Sequence, residues 1–277
     1  RKEKRGPLGD YGRQVAGAKE IKVNRSTPDK SQGIKISPRD MKDFNPPVYS
    51  QTRSVKVDPH ELINRKIFSV MEKNEVGDQY KLLRTKVLNR TRPMGHNTIE
   101  ITSFREGDGK SLTSVNLAVT LAKETRQNVL LVDADLRRPT IHTFFGIDAT
   151  PGLRDHFINN VPIEDILIHP GIERLTLLPA GGRMDNSTEI MGSHQMEALV
   201  QELKYRYPDR YILFDAPAVG TCSDPIVLSG YLDAMILVVR AGYTTTEDIK
   251  TGLEVLGDAN VLGVLLNDTK IRRGWAY

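Results

Sequence analysis

The stretch from residue 99 to residue 111 narrows the possible folds more than any other part of this chain. It reads Ile-Glu-Ile-Thr-Ser-Phe-Arg-Glu-Gly-Asp-Gly-Lys-Ser and passes directly into Leu112, Val115, Asn116, Leu117 and Val119 at helical spacing. A short apolar strand, a turn with two glycines and a helix thus follow one another without a gap. Gly107 and Gly109 let the backbone curl until successive N–H groups converge on one concavity, which suits a polyphosphate. A helix starting near Lys110 points its positive dipole end at the same spot. Lys110 then reaches the outer phosphates, and the Ser111 hydroxyl is able to ligate Mg²⁺. The stretch matches a phosphate-binding loop in its last five positions but not its first, where Phe104 stands in place of glycine. Gly107, Asp108, Gly109, Lys110, Ser111 and Leu112 are the expected nucleotide cradle.

Strand-like apolar runs follow at 128–132, 175–178, 211–214, 234–239 and 261–266, after the first at 98–102. Helical windows lie at 59–71, 76–89, 111–124, 194–205, 224–231 and 246–256, the second with Tyr80, Leu83 and Val87 on one face. Runs of Val, Ile and Leu without strict alternation mark strands buried on both faces. The βαβαβ order therefore predicts an α/β fold with a doubly wound, mostly parallel sheet. Such sheets bind ligands beyond the C-terminal ends of their strands. There the 128–132 run delivers Asp133-Ala134-Asp135, and the 211–214 run delivers Asp215-Ala216-Pro217. Asp215 suits the holding of Mg²⁺ through water. Asp133 either ligates the metal or accepts a proton from an attacking hydroxyl.

Charge is unevenly spread. Of 277 residues with a net charge of +4, residues 1–58 hold 14 Lys+Arg against 7 Asp+Glu, and the other 219 hold 25 against 28. The first 58 residues also hold five prolines and no sustained apolar period. This composition predicts a disordered basic arm over 1–58, ahead of a folded body over 59–277 with N-terminal helices at 59–92 and a short tail at 269–277. The arm reads as a solvated tether or as a contact to anionic lipid or an acidic partner. It holds no base-reading motif, so nucleic acid is not expected. The single cysteine, Cys222, excludes a disulfide framework and a multi-cysteine zinc site, and points to a reducing, cytoplasmic compartment. The most apolar window, 234–239, falls far short of the ~20 residues that span a bilayer.

Together the segments FREGDGKS, LLVDADLRRP and ILFDAP resemble the bacterial tyrosine kinases of polysaccharide export. That family has a P-loop fold with a deviant Walker A loop, close to the Min/Par partitioning ATPases and unrelated to eukaryotic protein kinases. The resemblance covers about residues 75–268 and extends to PGLRDHF, LTLLPAG, STEIMGSHQMEALVQELKYRYPDR, LVVRAGYTTTEDIKTGLEVL and VLGVLLND. LLVDAD and YPDRYILFDAP bring it nearest to the subgroup associated with exosortase gene clusters. The resemblance implies ATP and Mg²⁺ as cofactors, with Lys110 and Ser111 on the phosphates and the metal. It puts Asp133 and Asp135 on the family's extra carboxylate motif, Asp215 on its metal-side motif, and Asn267 where relatives contact adenine. Asp268-Thr269-Lys270 does not complete a guanine-reading motif, so ATP is expected. Arg137 and Arg138 read either as phosphate or subunit contacts or as a solvated pair.

The implied activity is transfer of the ATP γ-phosphate to tyrosine, in the regulation of exopolysaccharide assembly. The implied partner is an inner-membrane chain-length (co-polymerase) protein with a cytoplasmic tail, which holds this chain at the inner face of the membrane. Self-association is implied as well. Three positions depart from the family pattern. The usual C-terminal tyrosine cluster is reduced to Tyr277, the one expected phosphoacceptor in the tail. The oligomer-forming Glu-x-x-Arg-x-x-Arg helix reads Asp78, Lys81 and Arg84. Arg105 stands where the partitioning ATPases carry a lysine that reaches across a dimer, and reads either that way or as an exposed loop charge. A partitioning-type ATPase switch and a nucleotide-bound scaffold are the competing functions.

Overall fold

The computed structural model describes residues 52–124, 128–206 and 210–269, with residue 206 described by its backbone alone. Among these residues, eight strands form one sheet: β1 (Arg53–Ser54), β2 (Thr98–Ser103), β3 (Asn128–Asp133), β4 (Ile168–His169), β5 (Leu175–Leu178), β6 (Arg210–Asp215), β7 (Ala234–Arg240) and β8 (Val261–Asn267). Their order is β1-β4-β5-β3-β6-β2-β7-β8. The six strands from β5 to β8 in that order are mutually parallel, while β4 runs antiparallel to β5. The expected doubly wound, mostly parallel sheet is the fold observed.

Among the described residues ten helices connect and cover the strands: α1 (Pro59–Asn64), α2 (Glu75–Thr91), α3 (Lys110–Ala122), α4 (Ile141–Phe145), α5 (Leu153–Asn159), α6 (Ile163–Ile166), α7 (Ser187–Met191), α8 (His194–Arg206), α9 (Asp224–Ser229) and α10 (Thr246–Leu256). Among the described residues no helix is long and apolar enough to cross a membrane.

Side chains leave a strand to alternate faces, so a sheet covered on both sides needs apolar residues at both parities. Ile99, Ile101, Val129, Leu131 and Leu213 pack against Val87, Val115, Leu117 and Leu121 of α2 and α3. Leu130, Val132, Ile212 and Phe214 face the other way, onto Phe157, Met191, Met196 and Leu228. Each fully buried Leu, Ile or Phe contributes about 1.5–3 kcal/mol. The register sets Asp133 and Ile101 on either side of Asp215, so β3 and β6 end at one level while β2 runs two residues further, to Ser103.

The structure differs from the sequence reading at two places before the phosphate loop. The helix expected over 59–71 stops at Asn64, and a single 3₁₀ turn follows at Phe68–Val70. Asn116 of α3 explains the break. Its Nδ2 donates to Lys66 O and its Oδ1 accepts from Ser69 N, each at 3.0 Å, while Lys66 turns at φ +67°. These tertiary bonds outweigh continuation of a short helix, which has little stability of its own. The expected arm boundary at residue 58 also falls late. Arg53–Ser54 pairs with β4, Val55 N donates to His169 O at 2.9 Å, and Asp58 caps α1 through His60 N. The remainder of the expected arm (1–51) and the tail residues 270–277, with Tyr277, lie outside the described residues.

Candidate nucleotide site

β2 ends at Ser103 and α3 begins at Lys110, with the glycine loop between them. Phe104, the residue in place of the first loop glycine, packs its ring beside Gly252 of α10 and Gly220. Asp108 organises the rest of the loop. Its buried carboxylate accepts from Arg105 N at 3.0 Å and from the Thr244 hydroxyl at 2.6 Å. Its carbonyl accepts from Asn267 Nδ2 at 2.9 Å. The end of β8 and the loop after β7 therefore brace the cradle from behind. Arg105 is engaged within its own chain, 2.9 Å from Asp248 and over the ring of Tyr243.

The sequence-predicted polar residues converge in front of this loop. Lys110 Nζ lies 2.8 Å from Asp135 Oδ2 and 3.9 Å from Asp215 Oδ2. The Ser111 hydroxyl donates to Asp215 Oδ2 at 2.6 Å, and the Ser114 hydroxyl donates to its Oδ1 at 2.9 Å. Asp133 accepts through Oδ2 from Thr140 N and Ile141 N at 3.1 and 3.0 Å, which ties it to the start of α4. Its other oxygen, Oδ1, is buried without a hydrogen-bond partner. Asp135 Oδ1 accepts from Arg138 N at 2.9 Å. Tyr277 is not among the residues whose position is described.

Burial and neighbouring charge set the protonation of this cluster. Burial, and then the nearby charge of Asp215, push Asp133 well above the usual carboxylate range. Burial raises Asp215 as well, against the Lys110 ammonium and the Ser111 and Ser114 hydroxyls. For Lys110, burial works downward, but Asp215, Asp135 and Asp133 outweigh it and hold the ammonium above its ordinary value.

The loop opens on a cavity of about 630 Å³ lined by Gly107, Lys110, Asp135, Arg137, Met184 and Ala218 among others. Among the described residues, no three acidic, histidine or cysteine side chains gather closely enough to cage a metal. Mg²⁺ needs no such cage, because it keeps several waters and takes oxygen from phosphate and one or two carboxylates. The Ser111 hydroxyl, Asp215 and the unpartnered Asp133 Oδ1 are oxygen donors that fit it. Sequence reasoning missed Asp108's bracing role, Ser114, Thr244 and Asp224. Their partners lie far off in the chain, 136 residues away for Asp108 and Thr244.

Comparison with known proteins covers the same region. The family model of the AAA domain matches residues 96–256. The tyrosine-protein kinase YwqD of Bacillus subtilis (strain 168) is 29% identical over 218 residues, covering 78% of this chain and 91% of that protein. The tyrosine-protein kinase CpsD of Streptococcus agalactiae serotype III (strain NEM316) is 32% identical over 173 residues, covering 61% of this chain and 73% of that protein. The crystal structure of the chimerical protein CapA2B2 superposes with a TM-score of 0.69 at 27% identity, over 82% of this chain and 96% of that one.

Proposed function

The chain belongs to the bacterial tyrosine-protein kinase family of P-loop ATPases, and we propose that it transfers the γ-phosphate of ATP to tyrosine and hydrolyses ATP in the same site. The observation that carries the reading is the convergence of Lys110, Ser111, Asp133, Asp135 and Asp215 on one sheet edge in front of a glycine loop. The amides of residues 107–112 hold the phosphates. Lys110, released from Asp135, offsets the negative charge that grows on the transferred group. Ser111 and Asp215 would hold Mg²⁺, which would supply electrophilic charge at the phosphates.

The acceptor oxygen forms a bond to the γ-phosphorus while the bond from that phosphorus to the β–γ bridging oxygen breaks, and ADP leaves with the electron pair. The acceptor's proton passes to Asp133, whose raised affinity for protons and free Oδ1 suit it to receive one. Tyr277 is the proposed acceptor in the tail. Asn267, at the end of β8, is the proposed adenine-side residue.

Regulation of exopolysaccharide assembly belongs to the same reading. So does docking on the cytoplasmic tail of an inner-membrane chain-length protein, which places the chain at the inner face of the membrane. Self-association through α2, on whose exposed side Asp78 and Lys81 pair with each other at 2.8 Å, is part of it too. The test is incubation of the full chain with Mg-ATP, followed by mass spectrometry for phosphotyrosine and an assay for ADP. ADP without phosphotyrosine would instead favour a partitioning-type ATPase switch.

A further inference from the structure

Arg137 lies two residues beyond Asp135 and lines the cavity in front of the phosphate loop. Its guanidinium is held along one edge. Nε donates to Asp224 Oδ2 at 3.1 Å, and Nη2 donates to Thr188 Oγ1 at 2.8 Å. The Thr188 hydroxyl passes its own proton toward Asp224 Oδ1 at 2.5 Å, and the Ser187 hydroxyl donates to Asp224 Oδ2 at 2.7 Å. The threonine hydroxyl is thus used twice, as acceptor from the arginine and as donor to the carboxylate. Asp224 is fully buried at the first position of α9, while Ser187 and Thr188 open α7. Three segments far apart in the chain therefore meet to fix one guanidinium. Burial works to raise Asp224, but the bonds from Thr188, Ser187 and Arg137 hold it below the usual carboxylate range, so it is ionised at neutral pH.

The free edge matters as much as the held one. Among the described residues Nη1 of Arg137 has no hydrogen-bond partner, and the side chain keeps 41% of its surface. The other two arginines lining the cavity differ. Arg138 and Arg183 pair with the exposed carboxylates Glu106 and Asp185. The counter-ion of Arg137 lies buried behind it, which leaves its outer N–H groups for an anion in the cavity.

We propose that Asp224, Thr188 and Ser187 form a clamp that holds Arg137 toward the outer phosphate of the bound nucleotide, which makes these three the positioning residues of phosphoryl transfer. The proposal rests on the reading of the cavity as an ATP site. A guanidinium fixed before the reaction needs no reorganisation when charge develops on the transferred group. Arginine suits the task because its planar fork serves the clamp and the phosphate at once. The loop amides hold the nucleotide whether or not the clamp is intact, so the effect belongs in kcat and not in nucleotide affinity.

The experiment compares Thr188→Val, Thr188→Ser, Arg137→Gln and the Thr188→Val/Arg137→Gln double variant in the full chain. Turnover at saturating Mg-ATP, ATP Kd and melting temperature are measured for each. Thr188→Val keeps the volume and removes the hydroxyl, so kcat falls about tenfold with Kd within about twofold. Thr188→Ser restores turnover, and the double variant is no slower than Arg137→Gln alone, because both changes break one unit. Wild-type kcat in folded Thr188→Val, or additive losses in the double variant, would overturn the clamp alone. A wild-type chain without ATP turnover would overturn the clamp together with the site reading beneath it.

Discussion

At Gly109 the backbone stands at φ +98°, and a Cβ built there overlaps the side-chain amide of Asn267. Both the conformation and the lack of space require glycine. Gly109→Ala is expected to displace the Asn267 brace and weaken ATP binding about tenfold or more, read by titration with a fluorescent nucleotide. Unchanged affinity would show that the loop takes its shape without that contact. Glu100 poses a different residue-scale problem. It sits in the middle of β2 with both carboxyl oxygens buried and without a hydrogen-bond partner, and burial pushes it well above the usual carboxylate range. The folded protein keeps a proton that the unfolded chain releases near pH 4.5. The stability tied to the neutral form is complete below that pH and is lost as pH rises toward the folded pKa. Glu100→Met removes the titrating group at similar volume. From pH 5 to pH 8, wild-type stability in urea is expected to fall relative to Glu100→Met. Parallel pH profiles for the two proteins would contradict this account of Glu100.

At the scale of elements, the phosphate loop is held by the ends of two strands that it does not follow in sequence. Asp108 joins it to Thr244 after β7 and to Asn267 at the end of β8. Thr244→Val removes a part-buried bond to a carboxylate and is expected to weaken ATP binding about threefold to tenfold with the sheet intact. Circular dichroism and nucleotide titration together check this, and a variant that binds normally would make the brace incidental. The elements themselves were unequally legible. The apolar strands from β2 to β8, β4 excepted, and the longer helices announced themselves, and α10 runs from Thr246 to Leu256 as its apolar period predicts. The short helices α4 to α7 span four to seven residues, less than two turns, so no period develops. Backbone bonds fix them from outside: Leu153 N donates to Pro179 O, and Gly152 packs directly on Gly181. Lys110, Ser111, Asp133, Asp135 and Asp215 could be read because each flanks an apolar element. The Arg137–Asp224 pair could not, because 87 residues separate its members and only the fold joins them.

For the whole molecule, apolar side chains cover both faces of the sheet, and among the described residues the sheet begins at Arg53. Deletion of 1–51 is expected to leave the melting temperature within about 1 °C, whereas deletion of 1–58 also removes β1 and the Asp58 cap. Loss of an N-cap costs about 0.5–2 kcal/mol, so the longer deletion should melt several degrees lower. Equal melting temperatures for the two truncations would mean that β1 adds nothing. The central claim, that one sheet edge performs Mg-ATP-dependent phosphoryl transfer, is tested most directly with Lys110→Met. The measurement is ADP formation and phosphotyrosine content in the full chain under saturating Mg-ATP, beside the melting temperature of each protein. The predicted result is a loss of ~10²–10³ in turnover, with phosphotyrosine abolished and the fold retained. Turnover near that of the wild type in folded Lys110→Met would contradict the assignment of the site.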